Sequence, residues 1–242
     1  MFMKKVLLTL LVGFLFVNVA AFSGEMNYMK KRAMGKVEKR ALDGEPAAQF
    51  SLGGLYYQGI VTYHDYPLAA KWFEKAAEQG HQRAQFKVAK MYYEAKGIPQ
   101  DYKKSLYWFR QAAESGDGKS QLYLGIMYLN GYGTSVDYKK AFHWYSKASK
   151  LKYPIAQYNL GILYRDGLGT TKNLKKARRY LAKASLASLG IAQYNLSNMH
   201  INGIGGDIDM RKGKGYMQKA YLNGYHDAKI IMDKYGWKPI KK

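Results

Sequence analysis

One spacing constrains this chain more than any other feature. Ala48, Ala84, Ser120, Ala156, Ala192 and Ala228 stand 36 residues apart, without slippage. Gln49, Gln85, Gln121, Gln157 and Gln193 keep the same step, as do Trp72, Trp108, Trp144, Tyr180 and Tyr216. So do Asp65, Asp101, Asp137, Asn173 and Asp209. Independent columns repeating in phase mean stacked supersecondary units, so the period sets the fold before any propensity is weighed. A stack of modules also offers a long surface, which suits binding to other proteins.

Each unit reads as two helices. In the first, Pro46 fits a first helical turn, where its missing N–H costs nothing. Ala48, Leu52, Leu55 and Tyr56 then recur at helical spacing and form one apolar stripe. Gly59 ends this helix, and Asp65 caps the next, which turns Ala69, Trp72, Phe73 and Ala76 inward. Later units repeat the plan, with Gly131, Gly167 and Gly203 as stops and Asp101, Asp137, Asn173 and Asp209 as caps. Ala95 stands where the second unit should have its stop glycine, and we expect Gly97 and Pro99 to take over that role. The organisation expected is a signal peptide over 1–21, a capping helix over 22–43, five repeats (44–79, 80–115, 116–151, 152–187, 188–223) and a C-terminal capping helix and tail over 224–242.

The N-terminus and the charge suggest a compartment. Lys4 and Lys5 precede an apolar run from Val6 to Val17, and Val19-Ala20-Ala21 offers small residues for cleavage before Phe22. This is the three-part pattern of a secretory signal, and it predicts a periplasmic or secreted protein; the rival reading is an uncleaved anchor. No cysteine occurs, which excludes disulfides, a thiol nucleophile and a lipid-modified cysteine. Of the formal charge of +22, only Lys4 and Lys5 leave with the signal, so +20 remains. A field of that size favours an acidic protein partner, or contact with an anionic envelope surface. Export argues against nucleic acid. Mean hydropathy is negative, and no second apolar run is long enough to span a membrane. We expect a monomer.

The segment from Ala156 to Gly169, Ala-Gln-Tyr-Asn-Leu-Gly-Ile-Leu-Tyr-x-x-Gly-x-Gly, resembles a Sel1-like repeat. The run from Asp137 to Ala148, Asp-Tyr-Lys-Lys-Ala-x-x-Trp-x-x-Lys-Ala, resembles the second half of one. The resemblance spans residues 44 to 235 and implies an all-α fold: an α/α solenoid of helix-turn-helix units wound as a right-handed superhelix. It also implies an adaptor or scaffold that binds proteins. Small exported members are known as immunity proteins beside phospholipase-type effectors, which supplies an alternative role. A third alternative is a cell-wall or β-lactam-hydrolysing enzyme, but the members linked to that chemistry are disulfide-rich. Departures from the pattern fall at Val88-Ala89, at Ser197, and at His200 where other units carry Tyr56, Tyr92, Tyr128 and Tyr164. Altered packing is expected there.

Little in the chain points to catalysis. Gly131-Tyr-Gly133-Thr134 and Gly167-Leu-Gly169-Thr170 resemble phosphate loops, but they follow helices and recur with the repeat, so they read as helix stops. His64, His81, His143, His200 and His226 make no pair at metal-ligand spacing. There is no Gly-x-Ser-x-Gly elbow. We therefore expect no enzyme, no catalytic residue, no metal and no cofactor.

Two surface columns remain. Opposite the packed side of each first helix lie Phe86, Lys90 and Tyr93; Leu122, Ile126 and Leu129; Tyr158, Ile162 and Arg165; and Tyr194, Asn198 and Ile201. These are either inter-helix packing or a concave binding groove. We take the groove reading and place the protein-binding site at Leu122, Ile126, Leu129, Tyr158, Ile162 and Arg165, flanked by Phe86, Tyr93 and Tyr194. The second column is a lysine ladder in the first turn of each second helix, where the macrodipole disfavours cations. Lys104, Lys140, Lys176 and Lys212 match the family pattern, whereas Lys103, Lys139, Lys175 and Arg211 are extra. Either the ladder is a solvated face or it has a use on the rim.

Overall fold

The computed structural model describes residues 34–60 and 63–239. The signal-peptide assignment and the start of the N-terminal helix lie outside them. The described residues are all-α and fall into two compact units, one up to Gln100 and one from Asp101.

In the N-terminal unit, α1 (34–42) is followed by α2 (Pro46–Gln58), α3 (Tyr66–Glu78) and α4 (Gln82–Glu94). Ala41 of α1 is buried with Ala48, Leu52 and Trp72, and Met34 and Val37 pack on the same cluster. The C-terminal unit holds α5 (Tyr102–Glu114), α6 (Gly118–Asn130), α7 (Tyr138–Lys150), α8 (Pro154–Asp166), α9 (Leu174–Ser185), α10 (Gly190–Ile201), α11 (Met210–Leu222) and α12 (Ala228–Lys234). Consecutive helices pack on one another throughout this unit, and α6 also touches α8. At its end Ala228 and Met232 of α12 are buried against Ile201, Met217 and Ala220.

Capping explains where each second helix starts. The Leu68 N–H donates to Asp65 Oδ1, Lys104 to Asp101, Lys140 to Asp137, Lys176 to Asn173 and Lys212 to Asp209, each at 2.9 Å. A short side chain that accepts from the third residue on satisfies one of the orphan donors of a helix start. The first helices stop in one common way. Gly59, Gly131, Gly167 and Gly203 take positive φ, and the following N–H bonds a carbonyl five residues back: Ile60 to Leu55, Tyr132 to Met127, Leu168 to Leu163 and Ile204 to Met199. Ala95 does the same at φ 53, with Lys96 N–H on the Met91 carbonyl. The expected handover to Gly97 and Pro99 is therefore corrected: the alanine itself adopts the left-handed conformation and keeps the motif in register.

The second glycine of the later loops has another task. A Cβ on Gly133 would lie 2.3 Å from the Tyr102 carbonyl oxygen, and one on Gly169 would lie 2.1 Å from that of Tyr138. These glycines let the loop touch the backbone at the start of the preceding second helix. Reading them as helix stops captured their φ and missed this contact.

Core packing locks each helix pair. Phe73, Phe109, Tyr145, Leu181 and Met217 occupy one column and are fully buried, deeper than the tryptophans beside them. Room for them comes from the first helix: a Cβ at Gly53 would meet Phe73 at 2.8 Å, at Gly125 Tyr145 at 2.5 Å, and at Gly161 Leu181 at 2.8 Å. The fifth repeat solves the same problem differently. Ser197 replaces the glycine, is fully buried, and donates to the Gly213 carbonyl at 2.6 Å. Gly213 stands where Ala69, Ala141 and Ala177 are found, and a Cβ there would meet the Ile201 side chain at 2.7 Å. His200 stacks on Tyr216 at 5.7 Å and bonds Arg178, whose Nη2 also donates to the Asp207 carbonyl.

Candidate protein-binding surface

The glutamine column ties every repeat but the fourth to the helix before it. Gln49, Gln85, Gln121 and Gln193 are buried, and each Nε2 donates to the carbonyl eight residues back, those of Ala41, Ala77, Ala113 and Ser185, at 3.2 to 3.3 Å. A buried amide that bonds a helix-end carbonyl satisfies a group that the helix itself leaves open. This column is scaffold rather than site.

In the C-terminal unit the apolar column runs over α6, α8 and α10. Leu122 is 9% exposed, so most of it is spent on packing. Ile126, Leu129, Tyr158, Ile162, Arg165 and Tyr194 are half-buried. Tyr158 and Ile162 lean on the cluster of Ala177, Leu181, Leu196 and Met199. Tyr194 leans on the cluster around Met217, with its ring 4.8 Å from that of Tyr225. Burial raises the Tyr158 hydroxyl above the ordinary tyrosine range, so it stays a neutral donor at physiological pH. Arg165 grips Asp166 with two bonds, Nε to Oδ1 at 2.7 Å and Nη2 to Oδ2 at 2.8 Å, and reaches Asn195 Oδ1 at 3.4 Å. Hydrogen bonding to Arg165 holds the Asp166 carboxyl below the usual range. The guanidinium is thus fixed in place, with its charge offset locally.

In the N-terminal unit Phe86 and Tyr93, at matching stations of α4, are also half-buried. Beside them, Phe50 stacks on His81 at 4.6 Å under Arg83, and Tyr57 meets Tyr66 at 5.3 Å under Lys87. Stacked and T-shaped rings capped by cations form a cohesive wall at both members of the column.

The lysine ladder divides as its two columns did in sequence. All eight cations are exposed. Among the family-type lysines, Lys140 and Lys212 reach back to their own caps, Asp137 and Asp209, at 3.1 Å, and Lys140 and Lys176 lie over the rings of Tyr128 and Tyr164. The capping carboxylates answer the unfavourable dipole. Lys139, Lys175 and Arg211 make no ion pair among the described residues, and neither does Lys103. No group of three or more His, Asp or Glu among the described residues is placed to hold a metal ion. Nor is any described helix long and apolar enough to cross a membrane.

The repeat columns did not single out a cleft of about 580 Å³ in the C-terminal unit, between the end of α7, the start of α8 and the end of α9. Lys150, Lys152, Gln157, Tyr180, Lys183 and Leu186 line it. Its signal in the sequence was a set of departures from the period: Lys150 for Glu78 and Glu114, Lys152 for Gly80 and Gly116, and Ala187 for Gln79.

The family model for the Sel1 repeat matches five times, over residues 46–81, 82–117, 118–153, 154–189 and 190–225. These bounds start at the first residue of each first helix. Among solved structures, a Sel1 repeat protein from Oxalobacter formigenes is 29% identical over 80% of this chain and 79% of that one, with a TM-score of 0.73. A protective antigen present in uropathogenic Escherichia coli strains, with the same type of fold, is 26% identical over 86% of this chain, with a TM-score of 0.67. This chain covers 53% of that protein, about half its length. An immunity protein from Pseudomonas aeruginosa is 19% identical over 81% of this chain and 74% of that one, with a TM-score of 0.43, a likeness too slight to carry a role across. No curated protein matches the chain at a significant level. With the 36-residue period, the stacked helix pairs and the family model agreeing from Pro46 to Tyr225, the chain is an all-α repeat solenoid and belongs to the Sel1 repeat family.

Proposed function

We propose that the protein is an exported, non-enzymatic scaffold that binds an acidic partner protein through the apolar column of its first helices. Sel1 repeats suit protein interaction, and the finer reading rests on one observation. Tyr158, Ile162 and Tyr194 are held by the core from behind, and with Ile126, Leu129 and Arg165 they stay half-open in front. Anchors already fixed in position lose little entropy on binding, and Tyr and Arg dominate interface energies. In two-helix solenoids the first helices line the inner side, where a partner meets several repeats at once. Phe86 and Tyr93 hold the matching stations on α4 of the N-terminal unit. The formal charge of +22 with unpaired Lys139, Lys175 and Arg211 favours an acidic partner and speeds encounter more than it sets affinity. The n-region lysines and apolar run before Phe22 support export.

The test is a pair of variants. Tyr158→Ala and Arg165→Ala should each weaken capture of the partner at least about tenfold, the range of interface hot spots, while helicity by circular dichroism is unchanged. Tyr158→Ala that unfolds the chain, with no folded and binding-defective state, would make the column core.

A further inference from the structure

Three departures from the repeat converge on one cleft in the C-terminal unit. In the first and fifth repeats the Oε1 of the buried glutamine is held by an amide thirty residues on: Gln79 Nε2 donates to Gln49 and Asn223 Nδ2 to Gln193, each at 2.8 Å. In the fourth repeat Ala187 stands at that station and leaves the space empty. Gln157 is 8% exposed and its side chain makes no hydrogen bond, neither this one nor the bond to the carbonyl eight residues back that Gln49, Gln85, Gln121 and Gln193 make. Unlike the enclosed Oε1 atoms of Gln85 and Gln121, this amide faces the open cleft, where a ligand can reach both its donor and its acceptor. Lys150 then reverses the charge of Glu78 and Glu114. Lys152 holds φ 64 where Gly80 and Gly116 are found, a strained place for a side chain. Lys183 lies over the Tyr180 ring at 5.3 Å, and none of the three lysines is ion-paired among the described residues. Leu186, 86% exposed, and Pro154 add apolar wall.

We propose that this cleft binds a short acidic peptide segment. The primary amide of Gln157 has a donor and an acceptor open, the complement of one peptide group. A phosphate or sulfate would satisfy the donor and oppose the acceptor, so the amide favours a peptide over an anionic headgroup. The lysines meet the carboxylates of the segment, and Tyr180, Pro154 and Leu186 receive an apolar side chain. About 580 Å³ lies within the range of built ligand sites. The proposal rests on the proposed function only in taking the ligand from a protein, and it uses different residues.

The test measures fluorescence anisotropy of the full chain with a labelled synthetic peptide of about nine residues, alternating Glu and Asp with Leu and Phe. Phosphatidylglycerol vesicles serve as the rival probe. Ala187→Gln rebuilds the partner seen at Gln79 and occupies the space beside the Gln157 amide; it should weaken peptide binding at least about tenfold with helicity unchanged. Lys150→Glu restores the acid of the earlier repeats and should weaken binding by about three- to tenfold, more at low salt. Unchanged affinity in both variants overturns the proposal. So does vesicle binding that Ala187→Gln abolishes while the peptide fails to bind. Loss of peptide binding on Tyr158→Ala with Ala187→Gln unaffected moves the peptide to the α6–α8–α10 column, which refutes the cleft and leaves the proposed function standing.

Discussion

Two glycines two residues apart should respond very differently to the same substitution. Gly167 and Gly169 both hold positive φ, 74 and 68. Alanine in that conformation costs about 1–2 kcal/mol, and Ala95 shows that the fold carries this cost at the Gly167 station. Around Gly167 a Cβ would meet its neighbours at 3.2 Å or more, and the nearest atom is the Lys172 Cβ. Around Gly169 it would meet the Tyr138 carbonyl at 2.1 Å to oxygen and 2.3 Å to carbon, with the Lys139 N at 2.8 Å. Those atoms are the start of α7, fixed by the Asp137 cap, and cannot swing away like a side-chain tip. The clash must be relieved by moving the loop off the helix, which places Gly169→Ala in the class of severe backbone effects, about 3–5 kcal/mol in all. For a chain of this size that is a fall in Tm of roughly 6–20 °C, against roughly 2–8 °C for Gly167→Ala. Thermal unfolding followed at 222 nm, with urea midpoints as a second measure, would resolve them. Equal losses at both positions would show that the second glycine serves φ alone and would refute the close-contact argument.

Replacing Ala95 with Gly should stabilise the protein by about 0.5–1 kcal/mol, the left-handed strain released less the extra entropy of an unfolded glycine; a lower Tm would contradict the φ 53 assignment. His81 caps α4 by accepting the Ala84 N–H at Nδ1, and burial holds its pKa below the ordinary histidine value of about 6.5. Its contribution is therefore complete above that value and is lost as pH falls through the lowered folded value, because protonation removes the acceptor. His81→Asp, matching Asp117 at the same station, should shrink the stability loss between about pH 7 and pH 5; an unchanged loss would place the titration elsewhere, at His143 or His200. Changing Lys103, Lys139 and Lys175 together to Gln should reduce the salt dependence of partner association while leaving Tm within about 2 °C; abolished binding would put the contact on the rim.

Sequence alone was enough for whatever every repeat shares. The caps at Asp65, Asp101, Asp137, Asn173 and Asp209, the stops at Gly59, Gly131 and Gly167, and the buried alanines all recur, and recurrence separates them from background. What it concealed was the identity of partners. Gly169 looks like one more turn glycine until Tyr138 is placed against it. Ser197 reads as a defect until its hydroxyl is seen to donate to the Gly213 carbonyl. The Gln157 cleft was the least legible, because it arises where the pattern breaks, and Ala187 has meaning only once residues thirty apart are known to touch. The α6–α8–α10 column was legible as apolar positions on the wrong side of a helix. Its half-buried state was not, because the helical wheel has no neighbouring repeat in it.

The central claim is that the α6–α8–α10 column is where a partner protein docks. A photo-crosslinking residue placed in turn at Ile126, Ile162 and, on the rim, Lys139, in cells that make the protein natively, tests it most directly. Ile126 and Ile162 should crosslink to one and the same acidic protein, in the envelope fraction, and Lys139 should do so weakly. Crosslinks from Lys139 alone, or silence at both column positions while the partner still co-purifies, would contradict it.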